Sequence, residues 1–288
     1  MSTWLLLDVS NLAHRAFHSM GDLSFQGEPT AVLYGVFRDI LQLQELYATS
    51  YIAFCFDGGC DRRTRIFPRY KRSRVDANKE RSEEEREARR SLRNQIYNLR
   101  VKHLPEAGFC NLFYQDGYEA DDVIASVCQK SFRKDRTFVI VSNDSDMFQL
   151  LSPNVMIYSP IRKKTLTDKW FRDTYKISPS QWADVKAIAG CSSDDVPGIK
   201  GIGDILACQF LAGTLRMGRR HLSIIECPEV WERNIKLTRL PMEGVKEFPL
   251  VYDDITTENW NQVMLSLGMK SLMQSQSQRV AGKVRQRR

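Results

Sequence analysis

Glu119, Asp121 and Asp122 stand within four positions in the stretch GYEADDVIAS, directly ahead of an apolar run. Four more acids repeat the theme: Asp8 follows WLLL, Asp57 follows YIAFCF, and Asp144 and Asp146 follow TFVIVS. An apolar run that ends in acid reads as a buried strand with a carboxylate at its end. Seven like charges gathered at one edge of a fold repel strongly, so a cation must sit among them or several must hold protons. The candidate ligands are hard oxygens with no His beside them, which favours Mg²⁺, with Mn²⁺ as a substitute, over zinc or copper. Two such ions about 4 Å apart can bridge a phosphate, generate hydroxide from bound water and stabilise a leaving oxygen, which is the chemistry of phosphodiester hydrolysis. A plainer reading competes at each position taken alone: Glu119 or Asp122 suits a first helical turn, Asp57 precedes two glycines, and Asp144 with Asp146 suits a cap. Repetition at strand after strand is what favours the metal.

The elements that would position these acids alternate. Helix-like segments such as AVLYGVFRDILQLQELY and DDVIASVCQKSF lie between the short apolar runs, the order expected of a mostly parallel central sheet flanked by helices, an α/β class. Ligands of such sheets bind beyond the carboxyl ends of the strands, which draws all seven acids to one edge. A haloacid-type phosphatase also opens on a strand and Asp, but it needs a second Asp two residues on, where this chain has Ser10. Residues 61–74, DRRTRIFPRYKRSR, carry seven Lys or Arg against one Asp and lead into a helix with Ser82 and Glu85 spaced as a capping box and with Leu92, Ile96, Leu99 and His103 on one face. The whole stretch, about 61–105, is too long for an ordinary crossover and reads as a functional insertion. From about residue 177 strand signals fade, and two helices joined by a glycine-rich hairpin are expected at about 183–212. Domains of 1–176 and 177–288 follow, the second helical and ending in the basic tail RVAGKVRQRR.

Composition narrows the partner. The formal charge of +7 favours a polyanion, with nucleic acid first. Seven cysteines without a CxxC pair suit reduced thiols in a cytoplasmic compartment. Neither a signal peptide nor a membrane span is apparent.

Taken in order, the motifs LLLDVSNLAHRAF, GEPTAVLYGV, FDGG, FPRYKRSR, GYEADDVIAS, VIVSNDSDMFQLL and GCSSDDVPGIKGIG resemble the 5′-nuclease family, from about residue 3 to about residue 215. That family includes the N-terminal domain of bacterial DNA polymerase I, phage 5′-exonucleases and flap endonucleases. The resemblance implies a PIN-like core with a helical arch inserted at 61–105 and a C-terminal helix-three-turn-helix unit. It further implies a metal-dependent 5′-3′ exonuclease or flap endonuclease that cuts near 5′ ends of branched or nicked DNA in replication or repair. By motif match Asp8, Asp57, Glu119, Asp121, Asp122, Asp144, Asp146 and Asp194 fall on the family's metal-binding carboxylates. Lys71 and Arg74 fall on its basic pair at the arch base, where they would stabilise charge on the scissile phosphate. Arg15 and Tyr70 fall on DNA-binding positions, Tyr70 as a platform for a terminal base. Gly198, Lys200, Gly201 and Gly203 belong to the duplex-binding hairpin, whose backbone would approach a phosphate and for which the family implies K⁺. A monomer is expected, with polymerase activity supplied by another chain.

Two departures stand out. The late acidic motif usually reads G-D-S-S-D-N, whereas this chain has Gly190, Cys191, Ser192, Ser193, Asp194 and Asp195, so one carboxylate is replaced by a thiol, a poor ligand for a hard cation. Weaker occupancy of one metal site or a shift towards Mn²⁺ is expected. GIGDILA also lacks the Lys or Arg common in the first turn after the hairpin. Two alternatives therefore stand beside an active nuclease: a structure-specific DNA-binding protein that cuts weakly, and a PIN-like ribonuclease, against which the arch and hairpin argue.

Overall fold

The computed structural model describes residues 2–274; the basic tail and most of the Gln/Ser-rich stretch before it lie outside the described residues. Its centre is a six-stranded sheet of β1 (Ser2–Asp8), β2 (Ile52–Cys55), β3 (Leu112–Phe113), β4 (Arg136–Val141), β5 (Val155–Ser159) and β6 (Lys164–Leu166), in the order β3-β2-β1-β4-β5-β6. All pairings are parallel except that of β5 with β6. The unbroken apolar run of β1 has a physical reason. Leu5 and Leu7 face one hydrophobic cluster while Trp4 and Leu6 face another, so both sides of the strand are buried and no alternation with polar residues is possible.

Helices cover the two faces. On one side lie α1 (Val9–Ser19) and α2 (Ala31–Leu46), whose Leu12, Val32, Val36 and Phe37 join Leu5 and Leu7. The arch segment comprises α3 (Asp61–Ile66), α4 (Arg72–Lys79) and α5 (Glu83–Asn98), the last begun by a reciprocal capping box between Ser82 and Glu85. The other face takes α6 (Ala120–Lys130), α7 (Asp168–Tyr175) and α8 (Trp182–Ala189), with Val123, Phe171 and Trp182 in one cluster. A glycine-rich turn leads to α9 (Asp204–Leu211), and α10 (Arg219–Ile225) and α11 (Pro228–Thr238) follow. The last helix, α12 (Thr257–Ser266), returns to the first face, where Trp260 packs edge-on against Phe37 and Phe109.

The region after residue 177 thus contributes to both clusters that sandwich the sheet, Trp182 to one and Trp260 to the other, and shares the core of the preceding residues. Among the described residues no helix is long and apolar enough to cross a membrane.

Candidate metal centre and nucleic-acid interface

The carboxyl ends of β1, β2 and β4 and the start of α6 meet at one edge of the sheet, and the acids they carry divide into two groups. Asp8 ends β1 and accepts the Asn11 N–H at 3.0 Å and the Ser142 hydroxyl at 2.9 Å. Asp57 accepts the Gly59 N–H at 2.9 Å, and Asp144 accepts the Asp146 N–H at 2.8 Å. The plainer reading of caps and turns therefore holds locally at Asp8, Asp57 and Asp144. Yet Asp8, Asp57, Asp121, Asp144 and Asp146 have no Lys or Arg within ion-pair distance among the described residues, and the carboxylates of Asp121 and Asp146 accept no hydrogen bond there either. Burial, followed by the charges of Asp144 and Asp8, pushes Asp121 well above the ordinary carboxyl range. Asp146 is pushed up to about 7 by burial and then by Asp144. Burial also carries Asp8 up to about 6, against the hydrogen bonds from Asn11 and Ser142.

The second group is saturated with cations. Arg63, on α3, is buried; its guanidinium donates to both oxygens of Asp122 at 2.5 and 2.9 Å, to the Leu237 carbonyl at 2.9 Å, and lies 3.0 Å from Glu119. Lys71 pairs with Glu119 and lies 3.6 Å from Asp194; Arg74 donates to Asp194 at 2.8 Å. Burial pushes Glu119 up, but Lys71 and Arg63 outweigh it and hold the carboxyl below its ordinary value. Lys71 shows the converse: burial lowers it, Glu119 and Asp194 raise it further, and it stays protonated. Its backbone is in the left-handed region at φ 52°, with its N–H on the Asp194 carbonyl at 2.9 Å, which fixes the arch base to the late acidic motif.

Several sequence expectations change here. Asp122, expected as a metal ligand, is fully buried and committed to Arg63, to the Met242 N–H at 2.9 Å and to the Glu119 N–H at 3.3 Å; one residue past Asp121, the helix turns it by about 100° away from the cleft. Tyr70, expected as a stacking platform, is only 6% exposed, and its hydroxyl donates to Glu119 at 2.8 Å and reaches Asp194 at 3.3 Å, so its ring is interior packing and its oxygen an acid-positioning group. Arg15 is ion-paired with Asp39 of α2, which also takes Arg38 at 3.3 Å. Asp195 accepts the Ser73 N–H at 2.7 Å and so braces α4. Nothing in the sequence separates Arg63 from Arg62 and Arg65; burial alone marks it out.

Cys191 does enter the cluster. Its sulfur, an oxygen of Asp146 and an oxygen of Asp194 lie within 4.8 Å of one another. Burial pushes its thiol up to about 11. The same pocket is lined by Arg63, Tyr70, Glu119, Asp121 and Leu237.

In the hairpin the glycines serve different ends. A Cβ on Gly198 would lie 2.0 Å from the Ala189 carbonyl, so this glycine is demanded by the chain's own backbone, whereas Gly201, at φ +79°, and Gly203 have open space before them. Lys200 is exposed at the turn. Asp204 is bound by Lys186 at 2.9 Å, and Ile205, in the first turn after the hairpin, is 73% exposed.

The donor chemistry fits a hard divalent cation: five acids with no counter-ion among the described residues, the carboxylates of two of them accepting no hydrogen bond there, gather at one edge of the sheet beside a polar pocket. Known proteins resemble the chain in sequence and in fold. The family described as 5′-3′ exonuclease, N-terminal resolvase-like domain, matches residues 3–176. The chain is 30% identical over 213 residues to a 5′-3′ exonuclease of Aquifex aeolicus, covering 73% of this chain and 69% of that one. It is 30% identical over 208 residues to the thermostable DNA polymerase I of Thermus aquaticus, covering 72% of this chain but only 23% of that polymerase. In fold it matches T5 5′-exonuclease with divalent metal ions (zinc) bound, at a TM-score of 0.70 and 22% identity, over 83% of this chain and 90% of that one. The catalytic core of Rad2 in complex with DNA substrate matches at 0.58 and 13% identity, over 94% and 91%. On this sequence match and this sheet-edge cluster of acids, the chain belongs to the 5′-3′ exonuclease family of hydrolases.

Proposed function

We propose that this protein is a divalent-metal-dependent 5′-3′ exonuclease and flap endonuclease that hydrolyses phosphodiester bonds near 5′ ends of branched or nicked DNA in replication or repair. The observation that carries the reading is the separation at one sheet edge of five acids, without counter-ions among the described residues, from a neighbouring set of cations that runs from buried Arg63 through half-buried Lys71 to exposed Arg74. Asp8, Asp57, Asp121, Asp144 and Asp146, with Glu119 and Asp194 at the boundary, would hold Mg²⁺ or Mn²⁺. Bound there, such ions supply Lewis-acid polarisation of a phosphoryl oxygen and a water of lowered pKa.

The chain's own residues do the rest. Arg63 and Tyr70 fix Glu119 from behind, so its carboxylate needs no reorganisation when substrate arrives. Lys71 and Arg74, tethered through Asp194, present two positive charges at the arch base where a phosphate can exchange for a carboxylate. Lys200, Gly201 and Gly203 offer a side chain and open backbone for a duplex phosphate, contacts that position DNA without reading its sequence. K⁺ at this hairpin and action as a monomer belong to the same proposal.

Single-turnover cleavage of a 5′-labelled flap DNA with Mg²⁺, Mn²⁺, Ca²⁺ or EDTA tests the reading, with Asp146→Asn as control. Cleavage that requires Mg²⁺ or Mn²⁺ and vanishes in the control is expected. The second reading, a structure-specific DNA-binding protein that cuts weakly, is favoured by Cys191 in the donor set and by Ile205 at the hairpin. Flap binding without product under any metal would establish it.

A further inference from the structure

Cys191 stands where a thiol is out of place for a hard-cation site, and its position is fixed. Residues Gly190–Cys191 and Val196–Pro197 form a short antiparallel ladder with Cys191 opposite Val196, so the side chain projects from paired backbone. A Cβ on Gly190 would lie 2.3 Å from the Gly198 nitrogen, which holds the two limbs of this turn in close contact. From that base the sulfur reaches within 4.8 Å of oxygens of both Asp146 and Asp194, and 3.1 Å from the Ser193 hydroxyl.

The three donors are not equivalent. Asp146 has a carboxylate with no hydrogen bond and no cation among the described residues, so it can be given entirely to a ligand. Asp194 is shared: Arg74 takes one oxygen at 2.8 Å and the Tyr70 hydroxyl lies 3.3 Å from the other. One free carboxylate, one partly neutralised carboxylate and one thiol make a poor shell for Mg²⁺, which asks for near-octahedral oxygen and is bound by charge. The same set suits a borderline cation that accepts sulfur, binds in tetrahedral geometry and keeps one position for water.

We infer that Asp146, Cys191 and Asp194 form a mixed thiolate–carboxylate site that prefers a thiophilic divalent cation, of the class of Zn²⁺, Co²⁺ and Cd²⁺, over Mg²⁺. The inference rests on the metal-binding reading proposed above and concerns one part of that cluster; the acids of β1, β2 and α6 keep their hard-cation character. On binding, the Cys191 thiol passes its proton to solvent and the sulfur forms the metal bond, with no change of oxidation state.

The test uses the full chain, reduced and stripped of metal, with the Cys191→Ser and Cys191→Asp variants. Cd²⁺ and Co²⁺ are titrated while sulfur-to-metal charge-transfer absorption is followed, and Zn²⁺ and Mg²⁺ affinities are measured by calorimetry. The wild type is expected to show the charge-transfer band and both variants to lack it. The ratio of Zn²⁺ to Mg²⁺ affinity should fall by roughly ten- to a hundredfold in Cys191→Ser, and further in Cys191→Asp through a gain in Mg²⁺ affinity. Because the Asp variant restores a full oxygen set, its gain in Mg²⁺ binding also shows that it folds. Metal binding with the band and the affinity ratio unaltered by either substitution would overturn the thiol as a ligand while leaving the metal cluster standing. Failure of the wild type to bind any of these cations would overturn both readings.

Discussion

Asp121 and Asp122 are adjacent in the chain and identical in chemistry, yet they belong to opposite halves of the site. Asp122 is enclosed with Arg63 and takes four hydrogen bonds from N–H groups. The Asp121 carboxylate takes none among the described residues, and burial with its acidic neighbours drives its proton affinity upward. The first half is a balanced buried ion network that holds α3, α6 and α11 together; the second is a concentration of unbalanced charge. A carboxylate's function is set by what the fold leaves unpaired, and an acid satisfied by arginine is framework.

Opposite responses to the same chemical change would sharpen this contrast most. Asp146→Asn is expected to lower cleavage by more than about a hundredfold, since a direct ligand should count for more than the outer partners of a metal site. The same change should leave thermal stability of the metal-free protein equal or higher, because it removes repulsion; flap cleavage and a melting curve on one preparation check both. Asp122→Asn should do the reverse, destabilising the fold by about 3 kcal/mol by leaving Arg63 buried against half a partner, as denaturant unfolding would show. Its Mg²⁺ affinity, measured by calorimetry, should stay close to that of wild type. A fall as large as that of Asp146→Asn would break the division.

Added metal should act on the unbalanced half alone. Mg²⁺ at about a hundred times its dissociation constant should stabilise the wild type by about 2.7 kcal/mol, reversibly with EDTA, and should stabilise Asp146→Asn less. Proton linkage gives a smaller effect of definite sign. Asp8 and Asp146 rise from an ordinary 3.8 to about 6 and about 7, so between about pH 4 and pH 7 the metal-free fold binds more protons than the unfolded chain. Their contribution is complete below about pH 4 and is lost as pH rises through about 7. Melting temperatures in EDTA should therefore fall across that window by this contribution, and saturating Mg²⁺ should flatten or reverse the trend. The smallest effect expected is at the hairpin: Lys200→Ala should weaken duplex binding about equally for all sequences and reduce the slope of log affinity against log salt by about one.

The sequence alone shows four of the six strands, β1 to β4, their alternation with helices and the acidic edge, because a strand buried on both faces writes itself as an unbroken apolar run and an acid near the end of a run needs no long-range information to be placed; β5, the antiparallel β6 and the strand order come only from the fold. The sequence also carried the arch helix, whose Ser82 and Glu85 cap is local chemistry, and the family, through motifs in a fixed order. Tertiary structure decided which acids are free. Asp122 is taken up by Arg63, which comes from 59 positions away to meet it. Tyr70 is turned from platform to brace because Glu119 lies 49 positions on, and Cys191 enters the cluster because a two-residue ladder points it at Asp146. Local pattern fixes where a side chain emerges from the backbone; only the packed fold fixes what it meets, and the partner determines its charge.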